Sequence, residues 1–302
     1  MPPRFLVAFI VVFWVGTIAY LIYEEYWPWW RTDAPPAFIV EMADEASPLV
    51  TQWSIYRGDK KVGSISTTMT CLKDDTIELE STIEDLMFEV PAVLVPVTVH
   101  FHITKLRTVQ RVRRDGQLVR VRSKLNLAIG AFGKDKDLKI TAIIQGNVVD
   151  GHLHARSTLH SDFGRTEQDL EPIPIQMGSA FNPMQPIAKL RVRPGQHWKM
   201  SSVDPLGEAI QASFRHFVQQ VAAMGGTSIK LKVDTPKLIL AEVASEPRQW
   251  SYDGKSAKCY VIEYRTDDRN LTGSTWVSVD DGKVMRQEIS SFGDKLVLER
   301  EF

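Results

Sequence analysis

The segment Phe5–Tyr23, FLVAFIVVFWVGTIAYLIY, runs nineteen residues without a charge. At about 1.5 Å per residue such a helix is roughly 29 Å long, which matches a hydrocarbon core of about 30 Å. Its polar side chains are Thr17, Tyr20 and Tyr23. A threonine hydroxyl can bond back to its own helix, and the tyrosines lie near one end, where phenol groups meet water. Glu24, Glu25 and then Tyr26, Trp27, Trp29 and Trp30 follow, an interfacial aromatic belt in which Pro28 prevents a straight continuation. No polar stripe marks a solvent face, which speaks against a buried core helix. Residues 1–30 are therefore expected to be a membrane anchor. The lipid bilayer is its first partner, and Trp27, Trp29 and Trp30 are its interface residues.

Arg4 and the amino terminus lie on the short side of the run, and two glutamates lie directly after it. The positive-inside rule then places the N-terminus in the cytoplasm and residues 31–302 outside. The rival reading is a cleaved signal peptide with Thr17-Ile18-Ala19 as a weak cleavage site. The continuation of the apolar run past Ala19 to Tyr23 speaks for an uncleaved signal anchor. Without Arg4, Glu24 and Glu25 the exported part carries 35 basic and 35 acidic side chains. Bulk attraction to a polyanion is not expected of it, and no nucleic-acid partner is expected.

The whole chain of 302 residues is 44% hydrophobic and 24% charged, ordinary values that exclude wholesale disorder. Residues 31–48, with Pro35, Pro36 and Pro48, have the composition of a linker. From Leu49 the texture changes to short runs separated by Gly, Asp and Asn. In Ile65, Thr67, Met69 and Cys71 apolar and small side chains alternate with polar neighbours, as a half-buried strand requires. Asp115-Gly116 and Asp150-Gly151 are hairpin turn signals, and Asp281-Gly282 and Gly293-Asp294 punctuate the C-terminal end. Hairpin after hairpin predicts an antiparallel meander rather than a parallel βαβ sheet. Residues 49–302 are expected to be one mainly β domain of about ten strands. One stretch departs from the pattern. Leu206, Ile210, Phe214, Phe217, Val218 and Val221 have helical spacing after Asp204-Pro205 and before Gly225-Gly226. This predicts an amphipathic helix over 206–223, packed on the sheet.

The order of small signals carries a family resemblance. Trp53-Ser54-Ile55-Tyr56-Arg57-Gly58 leads to Lys61-Val62-Gly63, followed by Gly146-Asn147-Val148, Arg193-Pro194-Gly195-Gln196 and Val203-Asp204-Pro205. The last signal is Trp276–Glu288, WVSVDDGKVMRQE. Over residues 50–302 this resembles an exported bacterial β-domain of unknown function. That domain is found alone or ahead of transglutaminase-like domains and is related in shape to lipoprotein-carrier half-barrels. The resemblance implies a strongly curved antiparallel sheet with an apolar concave face. It carries over no catalytic residue, and the transglutaminase Cys-His-Asp module is absent from this sequence.

Catalytic signatures are missing: no G-x-S-x-G, H-E-x-x-H, P-loop, G-x-G-x-x-G or C-x-x-C occurs. No catalytic residue and no cofactor is assigned. His100 and His102, and likewise His152 and His154, place two imidazoles on one face of a strand, with His160 in the same parity. Paired imidazoles suit zinc, but a Cys or carboxylate ligand at matching spacing is missing, and the expected role is polar positions on a solvated face. Cys71 and Cys259 are expected as packed thiols, with a disulfide as the alternative.

The hairpin Lys105–Lys124 carries eight cations against Asp115 alone, with Arg120, Arg122 and Lys124 on one face. It suits either a grip on phosphate or carboxylate groups or a solvated face that protects a sheet edge. Leu86–Val99, LMFEVPAVLVPVTV, is too short to span a bilayer, and Pro91 and Pro96 are expected to interrupt its pairing. It is either buried core or a flap over an apolar cavity. In the second case Phe88 and Leu94 would line a pocket with Phe214 and Phe217. The functional expectation is a non-catalytic binding module for a hydrophobic ligand or an envelope protein partner. The alternatives are an envelope hydrolase with scattered residues and a structural subunit of a membrane complex.

Overall fold

The computed structural model describes residues 4–25, 33, 35–38, 47–74, 76–91, 98–113, 117–130, 137–175, 189–201, 209–210, 238–266, 270–291 and 294–302. One helix, α1 (Arg4–Glu25), opens the chain, and within it the Thr17 hydroxyl donates to the Phe13 carbonyl at 2.9 Å. The α1 side chains are described without a break over 9–23. Among the described residues no helix is long and apolar enough to cross a membrane.

Eighteen strands follow among the described residues. They are β1 (Ala37–Phe38), β2 (Leu49–Arg57), β3 (Lys60–Cys71), β4 (Thr76–Pro91), β5 (Thr98–Arg113), β6 (Leu118–Gly130), β7 (Leu138–Val149), β8 (His152–Ser161) and β9 (Gly164–Asp169). Next come β10 (Ile173–Pro174), β11 (Leu190–Arg191), β12 (His197–Ser201), β13 (Leu238–Val243), β14 (Arg248–Tyr252), β15 (Lys255–Thr266), β16 (Leu271–Ser278), β17 (Val284–Ser291) and β18 (Asp294–Arg300). Sixteen of them form one antiparallel sheet, and β1 pairs with β11 in a small sheet of its own.

The large sheet is two meanders stitched together. β2 to β8 run in sequence order on one side, and β15 to β18 on the other. The seam between them is the pairing of β18 with β2, which sets Leu298 opposite Ile55. Among the described residues the sheet does not close on itself. The turns obey local chemistry. Asp150 and Gly151 have φ of 50° and 73°, and Asp253 and Gly254 have 48° and 72°, as a two-residue hairpin turn with both centres left-handed requires. Asp115-Gly116 lies outside the described residues.

The expectation of about ten strands is corrected to eighteen among the described residues. Six of them, β1 and β10 to β14, have no run of their own in the sequence reading, and shortness explains why no periodicity announces them: β1, β10 and β11 have two residues each. β1 also falls inside the stretch read as a linker. Of Leu86–Val99, residues 92–97 lie outside the described residues, and the two ends are paired strand. β4 and β5 pair from Leu86 with Ile103 to Pro91 with Thr98. Pro91 is the last residue of its strand, where the missing N–H costs least. Pro96 lies outside the described residues. Of the expected helix 206–223, Ala209 and Ile210 are described and are helical.

Alternation puts the core on one face of the sheet. In β6, Val121, Ser123, Leu125 and Leu127 are buried, while Arg120, Arg122 and Lys124 are exposed. The largest buried cluster gathers Trp53, Ile65, Trp198, Ile262, Val277 and Leu298 from both meanders across the seam. At about 25 cal/mol per Å² of apolar surface removed from water, side chains of this size dominate what holds the two halves together.

Candidate functional site

The buried face of β5 to β8, here called the inner face, is built from Val121, Leu125, Leu127, Ile140, Ala142, Ile144, Leu153 and Leu159, all buried. Ala209 is fully buried against the Val121 and Ile144 cluster, and Ile210 packs on that cluster and on its neighbour. A helix over 206–223 is expected to cover the sheet, and its two described residues make that contact. At one end of the face Phe101, Ile103, Leu106, Ile129 and Leu138 are only half-buried. The polar members of this face, Thr108, Gln110, Ser123 and Ser157, are uncharged. Further along the sheet, Thr51 and Thr67 lie opposite one another on β2 and β3, both with buried hydroxyls. They and the indole N–H groups of Trp53 and Trp198 have no hydrogen-bond partner among the described residues.

A pocket of about 510 Å³ lies where β4 and β5 run past the end of the β2–β3 hairpin. Its geometry begins at Asp85, which has φ of 54°. Asp85 and Thr104 are skipped by the β4–β5 ladder, which passes from Glu84 with Lys105 to Leu86 with Ile103. An L-residue in this conformation bends the strand and re-aims its neighbours. The backbones are close here: a Cβ on Gly63 would lie 3.2 Å from the Cα of Leu86. Arg57, Lys60 and Lys61 line the pocket with His100, His102 and Ser64, and the apolar lining is Val62, Met87 and Phe101. Two carboxylates line it too, and both have partners. Glu84 accepts from Lys105 at 2.9 Å, and Asp85 lies 3.4 Å from His102 Nε2. Lys61 reaches Glu301 at 3.2 Å.

The basic hairpin is less cationic than its own sequence implies. Acids on β4 and just before it lie directly or diagonally opposite these cations. Lys105 pairs with Glu84, and Arg107 grips Glu80 with bonds of 2.7 and 2.9 Å. Arg111 pairs with Asp74 and donates to Thr76. The Glu80 carboxylate accordingly raises the Arg107 pKa. Arg120, Arg122 and Lys124 share the exposed face of β6, as their spacing predicts. Only the register between β4 and β5 discloses the neutralisation.

Phe88 lies in β4 opposite Phe101, and nothing is described of its side chain. Leu94, Phe214, Phe217, Trp27, Trp29 and Trp30 lie outside the described residues. The histidines separate. His100 and His102 on β5 reach the pocket, while His152, His154 and His160 lie exposed on β8, with β6 and β7 between. Among the described residues no group of three His, Cys, Asp or Glu could hold a metal ion. The cysteines are packed thiols in separate clusters, and the disulfide alternative is corrected. Cys71 is half-buried beside Met69 and Ile77, and Cys259 is fully buried between Trp250 and Met285. Burial, with the nearby Asp281, pushes the Cys259 thiol up to about 11. The left-handed backbone at Asp85 has no sequence signal, which is why the pocket is not legible in the sequence.

No protein-family model and no curated protein matches the chain. Among solved structures it is similar to a β-barrel-like protein of a domain of unknown function, DUF1849, from Brucella abortus. The identity is 9%, the match covers 89% of this chain and 97% of that chain, and the TM-score is 0.35.

Proposed function

We propose that the chain is a non-catalytic binding module, held at a membrane by α1, whose sheet curves around a hydrophobic ligand on its inner face. The observation that carries this reading is the half-buried belt of Phe101, Ile103, Leu106, Ile129 and Leu138, continuous with the fully buried Leu125, Leu127 and Ile140. Apolar side chains left half in water at the end of a buried face offer favourable burial to an apolar guest. The described inner-face side chains of β5 to β8 include no titratable group, so the face is suited to binding rather than to acid–base work. The register shifts between Ile103 and Lys105, Arg111 and Val112, and Ile55 and Tyr56 support the curvature, because each extra residue bends its strand.

Two features support the anchor. One is the uncharged run Phe5–Tyr23. The other is the exposure of its large side chains, with Phe9 at 68% and Trp14 at 65%, a surface that lipid would cover. The placement of residues 31–302 outside the cytoplasm follows from Arg4 before the run and the glutamates after it.

The test is photolabelling. The full chain in lipid nanodiscs is irradiated with a single-chain alkyl probe carrying a diazirine, and adducts are mapped by mass spectrometry. Adducts within 98–106 and 125–130, in addition to α1, are expected. Labelling confined to α1 overturns the reading.

A further inference from the structure

We propose that the pocket at Asp85 binds the anionic head of a single-chain amphiphile whose tail lies on the inner face, an inference that rests on the hydrophobic-ligand reading above. The lining chemistry sets the sign of the charge. Three cations, Arg57, Lys60 and Lys61, line the pocket against two carboxylates, Glu84 and Asp85. Both carboxylates already have cationic or imidazole partners in Lys105 and His102. Lys60 is exposed on the first residue of β3 and has no ion-pair partner among the described residues. Lys61 already holds Glu301 at 3.2 Å, so Lys60 is the lining cation that an added anion would pair, and charge-assisted bonds from ammonium groups are the strong ones.

Continuity with the apolar face sets the rest of the ligand. Phe101 lines the pocket and also packs against the inner cluster of Leu125, Leu127 and Ile140. Val62 lines the pocket and packs against the seam cluster around Trp53. A pocket whose apolar wall is shared with the half-buried belt suits one molecule with a charged end and an aliphatic end. At about 510 Å³ it has room for a head group and the first methylenes, within the size range usual for small-molecule sites. Carboxylate and phosphate heads share the recognising chemistry.

The experiment uses the full chain in nanodiscs of zwitterionic lipid and three photoactivatable ligands of equal chain length: a fatty acid, an alkyl phosphate and a fatty alcohol. Apparent affinities are read from adducts on residues 60–106. The acid, the phosphate or both should bind at least about tenfold more tightly than the alcohol, the scale of one charge-assisted bond. The tighter of the two anions identifies the head group. Lys60→Glu should weaken anion labelling about tenfold and leave alcohol labelling unchanged. Lys60 is exposed, and an unchanged β circular-dichroism signal verifies that the variant folds. Equal affinity for all three ligands, insensitive to Lys60→Glu, overturns the head-group assignment while the acyl reading stands. No adduct from any ligand outside α1 overturns both.

Discussion

Glu263 shows how a single side chain writes pH dependence into the sheet. It sits on β15, largely shielded from water, and accepts from Arg265 at 2.5 Å and from Arg248 at 3.1 Å. The bond from Arg265, working against burial and aided by Arg248, holds its pKa below the usual 4.5. A carboxylate lowered in the folded state adds stability that is fully present above its unfolded value. That stability is lost as pH falls through the lowered folded value. The stability advantage of the wild type over Glu263→Gln should therefore be constant at neutral pH and shrink between about pH 5 and pH 3. Thermal midpoints followed by circular dichroism across that range check it, and parallel curves for the two proteins would contradict the assignment. Glu301, lowered by its bond from Ser54 and its pairing with Lys61, acts in the same direction. Glu299 acts oppositely, since burial raises it despite Arg286 and the Trp250 N–H.

Among the elements, the β16–β17 pairing depends on one glycine. Gly273 lies opposite Ile289, beside a register shift between Tyr264 and Arg265 on the neighbouring strand. A Cβ at this position would stand 2.5 Å from the Glu288 carbonyl oxygen, a backbone atom in the middle of a ladder. Gly273→Ala should cost about 1–3 kcal/mol, the usual scale of overpacking. Gly254, with φ of 72° and open space where a Cβ would go, pays only the backbone term of about 1–2 kcal/mol when replaced by alanine. Denaturant midpoints compare the two, and a Gly273→Ala variant as stable as wild type would show that the strands are not so close.

The same scale explains what the sequence disclosed. Long hairpins such as β6–β7 and β7–β8 are legible because period-two alternation and turn residues such as Asp150-Gly151 agree. β12 and β13 are short and far apart in sequence, so neither alternation nor a turn marks their pairing, and β14, though joined to β15 by Asp253-Gly254, has only five residues. Glu80 meets Arg107 diagonally, across the register that sets Thr82 opposite Arg107, and no sequence signal gives that register. The pocket depends on the left-handed backbone at Asp85, which is equally unannounced. Surface pairs of this kind contribute about 0–1 kcal/mol each, so their value here is in discriminating register more than in stability.

For the whole molecule, the seam constrains how the chain can sit at a membrane. β18, the last strand, lies between β2 and β17 in one sheet, with Leu298 beside Ile55 and Glu288 beside Val297. Residues near 50 and residues near 300 therefore lie close together, and the anchor proposed above would place both on one side of the bilayer. Residues 31–302 are formally neutral, so under that proposal the orientation would follow from Arg4 before the run. A reporter that is active only outside the cytoplasm, fused after Phe302, should be active, and a reporter that needs the cytoplasm should be silent at the same position. Placing additional lysines directly after Glu25 should reduce external activity, because orientation follows the local count of Lys and Arg. Because β18 is woven into the seam, a reporter there reads the position of the whole sheet rather than of a loose tail. Cytoplasmic activity at Phe302 in the unaltered chain would reverse the orientation and, with it, the compartment in which any ligand of the inner face is found.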